Sequence, residues 1–199
     1  MQAPTNHSNT TIVILAAGAC SRFGECKHLA EIDGKPLTQH LIDRCLSVVT
    51  NTIYVVSGCY HEQQATTLDN VEFIYNADWQ EGLSSSIKAA TKALSNHSSL
   101  LFLLGDQIAL QKADIEKLLI TTPSAEILCA EYAGKRGVPA RFHHTQYEAL
   151  TTLQGDQGAK GLLYNANCKA ITMPNASFDI DTKADLGAYL EAGDNRLSL

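Results

Sequence analysis

The chain has 199 residues, of which 45% are hydrophobic, and a formal net charge of −6 at pH 7. This length suffices for one domain with a sizeable core, and the acidic balance argues against nucleic acid as a partner. No apolar run approaches the length of a membrane span, and the polar N-terminus lacks the basic and apolar regions of a signal peptide. We therefore predict a cytoplasmic protein without membrane contact.

Short apolar runs alternate with amphipathic stretches along most of the chain. In chain order, strands are predicted over residues 11–15, 52–57, 71–75, 100–104 and 125–132. Helices are predicted over residues 36–49, 61–68, 83–94 and 112–120. This alternation predicts a single three-layer α/β/α domain with a mostly parallel, Rossmann-like sheet. We place the domain at residues 11–191, between a disordered N-terminal tail of residues 1–10 and a C-terminal tail of residues 192–199.

The first strand, Thr11–Leu15, leads into a loop that is rich in small residues, A-A-G-A-C-S-R-F-G-E-C-K. Small residues and glycines let backbone N–H groups approach a ligand, and Arg22 and Lys27 add two positive charges. These features suit the binding of a triphosphate, although a tight strand-to-helix turn with two surface cations would have the same sequence features. The pattern is neither G-x-x-x-x-G-K-[ST] nor G-x-G-x-x-G, which argues against a P-loop NTPase and an ordinary dinucleotide fold.

The stretch L-A-A-G-A-C-S-R-F-G-E-C-K resembles the L-A-A-G-x-S-x-R-F/M-G-x-x-K signature of the MobA-like nucleotidyltransferases, with the serine one place later. Among these it is most similar to the molybdenum cofactor cytidylyltransferases, and the resemblance extends with gaps from Thr11 to about Leu190. It implies a fold of the nucleotide-diphospho-sugar transferase type. It also implies a nucleotide-binding site formed by Leu15, Ala16, Ala17, Gly18, Arg22 and Lys27. Of these, Arg22 and Lys27 would also be catalytic cations. Arg22 would hold the β- and γ-phosphates, and Lys27 would neutralise charge at the α-phosphate.

A carboxylate follows the buried strand 100–104, in the sequence Gly105-Asp106-Gln107. Such a carboxylate is well placed to hold Mg²⁺, although an aspartate that caps a turn or helix has the same sequence context. The stretch resembles the D-Q-P motif of the family, in which the aspartate binds the metal, with Ile108 in place of the proline. The resemblance therefore implies that Asp106 is a catalytic and metal-binding residue.

A second acidic stretch, Asp179-Ile180-Asp181-Thr182, precedes the last helix. Acidic residues at such a position often serve only as helix caps. The stretch resembles the D-I-D-T-P-E-D motif of the family, in which the aspartate before the threonine is the second protein ligand of the metal. This role maps to Asp181, with Asp179 as the fallback.

The segment N-A-D-W-Q-E-G-L-S-S-S, residues 76–86, lies between a predicted strand and a predicted helix. Serines at this position usually cap the helix, but a helix N-terminus with small residues also receives anions or base edges. The segment resembles the family's N-x-x-W-x-x-G-x-S-S-S, which surrounds the base and ribose. The resemblance implies that Asn76, Gly82 and Ser84 bind the nucleotide.

Two further stretches bear on the acceptor. G-K-R-G-V-P-A-R-F, residues 134–142, resembles the family's G-x-x-G-x-P-x-x-F on the acceptor side, with Val138 where histidine is frequent. We interpret Lys135, Arg136 and Arg141 as loop cations that either meet an anionic acceptor or are simply solvated. G-D-Q-G-A-K, residues 155–160, resembles the family's G-D-x-G-A-R.

Taken together, the resemblance implies Mg²⁺-dependent transfer of CMP from CTP to the phosphate of molybdenum-bound molybdopterin, with release of pyrophosphate. Ala17 in L-A-A-G favours CTP over another NTP. The partners implied are the nucleotide, a molybdopterin-type acceptor, and a molybdoenzyme or its chaperone. Two alternatives stay open: a nucleotidyltransferase for another small phosphate, such as a sugar or polyol phosphate, and a non-catalytic carrier or chaperone of the molybdenum cofactor.

Overall fold

The computed structural model describes residues 10–121 and 125–194 of the chain. Its strands are β1 (Thr10–Leu15), β2 (Glu31–Ile32), β3 (Lys35–Pro36), β4 (Tyr54–Ser57), β5 (Glu72–Tyr75), β6 (Ser99–Leu104), β7 (Ile127–Tyr132), β8 (Lys135–His143) and β9 (Cys168–Thr172). Its α-helices are α1 (Leu37–Leu46), α2 (His61–Thr67), α3 (Leu83–Ala93), α4 (Lys112–Ile120), α5 (Tyr147–Thr151) and α6 (Lys183–Asp194). None of the helices described here combines the length and the apolar character needed to cross a bilayer.

Within these residues the main sheet has the strand order β5-β4-β1-β6-β8-β7-β9. Strand β1 pairs in parallel with both β4 and β6, and β7 pairs in parallel with β9. Only β8 runs against its neighbours, between β6 and β7. The mostly parallel sheet predicted from the sequence is therefore confirmed, with one antiparallel strand inserted near its middle.

The sheet has an apolar layer on each face, and β1 contributes to both. Ile12 and Ile14 pack in a cluster with α1 and α4, whereas Val13 and Leu15 pack in a cluster with α3 and α5. A strand that is covered on both faces needs apolar residues at every position, which explains why β1 does not alternate. The three-layer α/β/α architecture follows, and the predicted fold class is correct.

The predicted limits of several elements differ from the observed ones. Helix α1 ends at Leu46 rather than at residue 49, and β1 begins at Thr10, inside the segment predicted as a tail. Helix α6 continues to Asp194, past the predicted limit of 191. The remainder of the two predicted tails, residues 1–9 and 195–199, lies outside the described residues.

The larger difference is β8, a strand formed by residues whose sequence is typical of a loop. Residues 135–143 form a strand that hydrogen-bonds on both sides, with an irregularity opposite Cys129 and Ala130. The pairing partner of Cys129 is Ala140 and that of Ala130 is Gly137, so Val138 and Pro139 form a bulge on β8. A bulge tolerates proline because its residues lie outside the regular ladder, and it redirects nearby side chains.

Candidate active site

A cavity of about 520 Å³ opens at the carboxyl ends of β1 and β6. In parallel sheets this is the edge at which ligands bind. The loop after β1 forms one side of the cavity, the segment before α3 forms the other, and Asp106 lies at the end of β6 between them. We call it the nucleotide cavity, after the role that the sequence predicts for its residues.

The floor of the nucleotide cavity is fixed by backbone hydrogen bonds. Ala16 N donates to Val56 O at 2.9 Å, and Cys59 N donates to Ala17 O at 3.0 Å. Gln64, a buried residue of α2, donates to Ala16 O at 2.9 Å. The two alanines are themselves buried. The first part of the loop is therefore held in place by the neighbouring strand and helix before any ligand binds.

Gly18 differs from the residues before it, because a Cβ built there would meet no atom within 4 Å. Its lack of a side chain is therefore not required by the packing of the protein itself. Gly18 lines the nucleotide cavity together with Ser21 and Arg22. The free space above Gly18 is where a ligand could approach the backbone closely.

Lys27 links the loop to both acidic motifs. Its Nζ donates to Asp106 Oδ2 at 2.5 Å and to Asp181 Oδ1 at 2.9 Å, and its side chain is largely buried. Burial lowers the pKa of Lys27, but the charge of Asp106 and the hydrogen bonds to Asp106 and Asp181 outweigh this effect, so the pKa lies above its ordinary value. Lys27 is therefore a fixed positive charge within the nucleotide cavity.

The two acidic motifs are brought together by apolar packing beneath them. Ile108 and Ile180 are both buried in a small cluster with Phe23, and Ile180 N donates to Asp106 O at 3.4 Å. The isoleucine that replaces the proline of the D-Q-P motif thus contributes to the core. Because Ile180 points into this cluster, Asp179 and Asp181 on either side of it are left beside Asp106.

The carboxylates of Asp106, Asp179 and Asp181 each offer an oxygen within 4.8 Å of the others. Asp106 Oδ1 is buried and has no hydrogen-bond partner among the described residues. Burial and the charges of Asp106 and Asp181 raise the pKa of Asp179. An unpartnered buried oxygen among crowded carboxylates fits a divalent cation, for which carboxylate oxygens are preferred ligands.

Arg22 is the second cation of the loop, and its side chain is mostly exposed, at 72%. Its Nη1 lies 2.9 Å from Asp181 Oδ2, so Asp181 contacts both predicted catalytic cations. Asp179 forms no ion pair among the residues that the structure describes. The predicted residues Arg22, Asp181, Lys27 and Asp106 thus form a continuous chain of ion pairs in that order.

On the opposite side of the nucleotide cavity lie Trp79 and Gly82. Gly82 has φ 92° and ψ −172°, a conformation open essentially only to glycine, and it immediately precedes α3. A Cβ at Gly82 would lie 1.8 Å from Asp156 Oδ1. A Cβ at Gly58 would lie 2.6 Å from Trp79 Cβ. Glycines at these two places allow the close approach of Asp156 and Trp79, both of which line the cavity.

Two residues predicted to bind the nucleotide lie behind the cavity wall instead. Asn76 is buried, and its amide donates to Ser85 Oγ at 2.8 Å and Ser86 Oγ at 3.1 Å. Ser84 is also buried, and its backbone N donates to Gly155 O at 3.1 Å. Ser86 lines the cavity, whereas neither Asn76 nor Ser84 does so. Asn76 therefore positions the serines at the start of α3, and the helix turns Ser86 toward the cavity, while nucleotide binding by Asn76 and Ser84 stays a prediction.

Two further residues line the nucleotide cavity: Asp156, from the G-D-Q-G-A-K stretch, and His28, which the sequence analysis missed. Thr38 Oγ1 donates its proton to Gly105 O at 2.9 Å and lies 3.1 Å from His28 Nδ1. Thr38 Oγ1 therefore accepts a hydrogen bond from the Nδ1–H group of His28. Burial lowers the pKa of His28 to about 4, which keeps the ring neutral. No local sequence pattern marks His28 as a residue of the site, because its burial next to Lys27 arises only in the folded protein.

Arg141 is not available to an anionic acceptor substrate, contrary to one of the two interpretations of the predicted loop cations. Its guanidinium is buried and donates to Leu118 O at 2.8 Å, Leu119 O at 3.1 Å and Thr121 O at 2.6 Å. These carbonyls lie at the C-terminal end of α4, where backbone oxygens lack helical partners. Arg141 therefore anchors α4 to β8.

Comparisons with known proteins agree with this architecture. The MobA-like NTP transferase domain matches residues 12–170 of the chain. Nicotine blue oxidoreductase of Paenarthrobacter nicotinovorans is 28% identical over 165 residues, which are 77% of this chain and 80% of that protein. The crystal structure of the Rv0371c homologue from Mycobacterium sp. strain JC1 is similar with a TM-score of 0.83 and 24% identity, and the similarity covers 97% of this chain and all of that one. The structure of Rv0371c from Mycobacterium tuberculosis in complex with manganese gives a TM-score of 0.74 and 23% identity, over 92% of this chain and 99% of that one.

Proposed function

Because this chain belongs to the family of MobA-like NTP transferases, we propose that it transfers CMP from CTP to the phosphate of molybdenum-bound molybdopterin and releases pyrophosphate, with Mg²⁺ as its metal. One observation carries the proposal: Lys27 bridges Asp106 and Asp181 at the mouth of the loop after β1. Cations that can bind phosphates thus lie next to carboxylates that can bind a metal, at the carboxyl ends of the central strands. A cytoplasmic location is part of the same proposal.

The residues of this chain have distinct tasks in the proposed reaction. The fixed loop from Leu15 to Gly18 offers backbone N–H groups to the triphosphate, and Arg22 adds an exposed positive charge. Lys27 stabilises the negative charge that builds up at the α-phosphate. Catalysis of this kind depends on positioning and charge neutralisation and needs no protein nucleophile.

Asp106 and Asp181 would hold the metal, and Asp179 is close enough to add a third carboxylate oxygen. When bound, Mg²⁺ supplies charge neutralisation and a template for the phosphates. The manganese complex of Rv0371c, a protein of similar fold, supports a divalent cation in this family of structures. Arg22 and Lys27 now occupy the oxygens of Asp181, so we expect both cations to exchange these contacts for phosphate oxygens.

The proposed preference for CTP rests on Ala17, through the resemblance of L-A-A-G to relatives that use CTP. Ala17 is buried and lines the nucleotide cavity, as do Gly82 and Trp79. A methyl group at this position narrows the cavity relative to glycine, which favours a pyrimidine over a purine. The carboxylate of Asp156 adds a hydrogen-bond acceptor on the same side, suited to an amino group or to ribose hydroxyls.

The test is pyrophosphate release from CTP, GTP, ATP and UTP, each with Mg²⁺ and molybdenum-bound molybdopterin. A signal that is selective for CTP and requires the acceptor would support the proposal in full. A signal that requires a sugar or polyol phosphate instead would favour the alternative nucleotidyltransferase. Tight binding of CTP or cofactor without turnover would favour a carrier, which hands the cofactor to a molybdoenzyme or its chaperone.

A second candidate function comes from the name of the relative in Paenarthrobacter nicotinovorans, an oxidoreductase. The loop after β1 lacks the G-x-G-x-x-G fingerprint of dinucleotide binding, which favours nucleotidyl transfer for this chain. Oxidation of NADH or NADPH in the presence of nicotine blue, followed by absorbance, separates the two. Turnover in that assay without pyrophosphate release in the first would favour the oxidoreductase.

A further inference from the structure

Two cysteines lie side by side in the main sheet, Cys129 on β7 and Cys168 at the start of β9. Their sulfur atoms are 3.4 Å apart, although 39 positions separate the two residues along the chain. Both belong to the apolar cluster that packs against α3 and α5. In the part of the chain that the structure describes, all six cysteines are free thiols, and no other two of their sulfur atoms lie within hydrogen-bonding distance. The proposed function uses neither residue.

The register of β7 and β9 places both thiols on one face of the sheet. In this parallel ladder the partner of Cys168 is Ile127, and the partner of Cys129 is Ala170. Cys129 therefore lies two residues beyond the position opposite Cys168, and residues two apart on a strand point to the same face. The strand pairing itself thus brings the two side chains to neighbouring positions.

Strand β9 is at the edge of the main sheet, and within the described residues only β7 pairs with it. A covalent link between the two sulfur atoms requires them to approach by about a further 1.4 Å. An edge strand can make this movement by rotation of its side chain and a small shift of its backbone, because no strand holds its outer side. The position of the pair therefore permits a bond without rearrangement of the central strands.

The two thiols differ in their surroundings. Cys129 is completely enclosed, whereas Cys168 keeps 8% of its surface exposed, so a small reagent reaches Cys168 first. Burial, together with the neighbouring Cys168, raises the pKa of Cys129, which keeps its proton at neutral pH and can donate its S–H to the sulfur of Cys168. The positive charge of Arg136 is within electrostatic range of the pair and favours a thiolate there.

We propose that Cys129 and Cys168 form an oxidation site of the folded protein, at which a hydroperoxide converts the two thiols into a disulfide that links β9 to β7. This proposal is independent of the proposed function. Cys45 shows how a cysteine of purely structural role is placed: it is equally enclosed, in the apolar cluster on the other face of the sheet, without a second sulfur atom beside it. The pair on β7 and β9 differs from it by the contact between the two sulfur atoms.

The oxidation proceeds in two steps that balance. The sulfur of Cys168 attacks one oxygen of the hydroperoxide, the O–O bond breaks, and an alcohol (water, if the oxidant is hydrogen peroxide) leaves with the thiol proton, so Cys168 becomes a sulfenic acid. The sulfur of Cys129 then attacks that of Cys168. The S–S bond forms, the S–O bond breaks, and the hydroxide leaves as water with the proton of Cys129. The two thiols lose two electrons in total, and the hydroperoxide gains them.

The disulfide would close a loop of the chain that contains β8, α5 and Asp156 of the nucleotide cavity. A bond that closes a long loop restricts the unfolded chain more than the folded one, and it therefore stabilises the fold. We expect the Tm of the oxidised protein to exceed that of the reduced protein by about 5 °C or more. Reduction by a thiol such as dithiothreitol should reverse the increase.

The test is treatment of the folded, fully reduced protein with hydrogen peroxide, followed by alkylation of the remaining thiols in denaturant and peptide mapping by mass spectrometry. We expect two peptides joined through Cys129 and Cys168, lighter by two hydrogen atoms than the reduced pair, and separated again by dithiothreitol. Cys168→Ala should lose both the joined peptides and the increase in Tm. Cys45→Ala, at an equally enclosed cysteine of the other cluster, is the matched control and should keep both.

Recovery of Cys129 and Cys168 as alkylated thiols, under conditions that oxidise the exposed Cys59, would overturn the proposal. Joined peptides that form only when denaturant is present during the oxidation would do the same, because the pairing would then not come from the fold. An equal increase in Tm in Cys168→Ala would also contradict it. The mapping of the unmodified protein decides the question even if a variant does not fold, which circular dichroism would reveal.

Discussion

Lys27 donates a hydrogen bond of 2.9 Å to Asp181, a residue 154 positions further along the chain. The same ammonium contacts Asp106, so one side chain joins the loop after β1, the end of β6 and the segment before α6. The ammonium lies among the carboxylates that are proposed to hold the metal. If the proposed function holds, Lys27 and the divalent cation would compete for the same oxygens until the nucleotide offers Lys27 a phosphate.

This competition predicts two opposite effects of Lys27→Met. The variant keeps the length of the side chain but loses its charge, so we expect kcat to fall by about 100-fold or more, the scale of losing one preorganised electrostatic group. In the absence of nucleotide we expect Mn²⁺ to bind at least about 10-fold more tightly, because a nearby positive charge is gone. Steady-state pyrophosphate release and Mn²⁺ titration by electron paramagnetic resonance measure the two effects. Lys35→Met, at a partly exposed lysine that pairs with Asp43 and not with Asp106 or Asp181, is the control.

The carboxylate cluster predicts an order among its members. Asp106 and Asp181 contact Lys27, whereas Asp179 is the more exposed. We expect Asp106→Asn and Asp181→Asn each to lower kcat by about 100-fold or more, and Asp179→Asn to have a smaller effect. Mn²⁺ affinities of the three variants should follow the same order. Weaker Mn²⁺ binding in Asp179→Asn than in Asp181→Asn would reverse the assignment and make Asp179 the second ligand.

Two glycines of the nucleotide cavity should respond differently to the same substitution. A Cβ at Gly18 meets no atom within 4 Å, so we expect Gly18→Ala to leave the free energy of unfolding unchanged within about 0.5 kcal/mol. The added methyl group enters the space of the ligand, and the KM for the nucleotide should rise. Gly82 has a φ of 92°, so Gly82→Ala should cost about 1–3 kcal/mol of stability and also raise KM. Denaturant unfolding and steady-state kinetics on both variants test this contrast, and equal stability losses would contradict it.

His28 predicts a pH dependence of stability. Its pKa is lowered by burial to about 4, against 6.5 for an ordinary histidine, so between these pH values the unfolded chain binds the proton that the folded protein excludes. The free energy of unfolding should therefore decrease as the pH falls from about 6.5 to about 4, by about 3 kcal/mol in total from this residue. This contribution of His28 to the free energy of unfolding is fully retained above pH 6.5.

Denaturant unfolding at several pH values checks the contribution of His28. His28→Asn can still donate to Thr38 but does not titrate, so its stability should decrease less than that of the unmodified protein over this window. His144→Asn, at an exposed histidine, controls for the loss of a histidine elsewhere. A pH profile of His28→Asn that parallels the unmodified protein would show that His28 does not account for the dependence.

The parts of the fold that the sequence predicts well are those with a local cause. Strand β1 is recognisable because burial on both faces requires a continuous apolar run, and α3 because Ile87, Ala90 and Leu94 recur on one face. The loop from Ala16 to Lys27 is likewise recognisable from its glycines and cations. In each case the physical requirement acts on neighbouring residues, and the sequence records it directly.

Strand β8 could not be predicted in this way. Gly137, Pro139 and the cations around them are typical of loops, and only pairing with β6 and β7 makes the segment a strand. Arg141 has the same explanation, since the carbonyls that bury it belong to α4, distant in sequence. The direct contact between Lys27 and Asp181 was not predicted, because no local pattern joins residues so far apart and the family resemblance assigned them only to the same nucleotide site.

The loop from Gly155 to Lys160 forms part of two neighbouring cavities. Asp156 lines the nucleotide cavity, whereas Gln157 and Lys160 line a second, mainly apolar cavity of about 270 Å³. Leu83 lines both, and Gly158 lies against it. A substitution in this loop that reshapes one cavity therefore also shifts the wall of the other, so natural variation here is constrained from two sides at once.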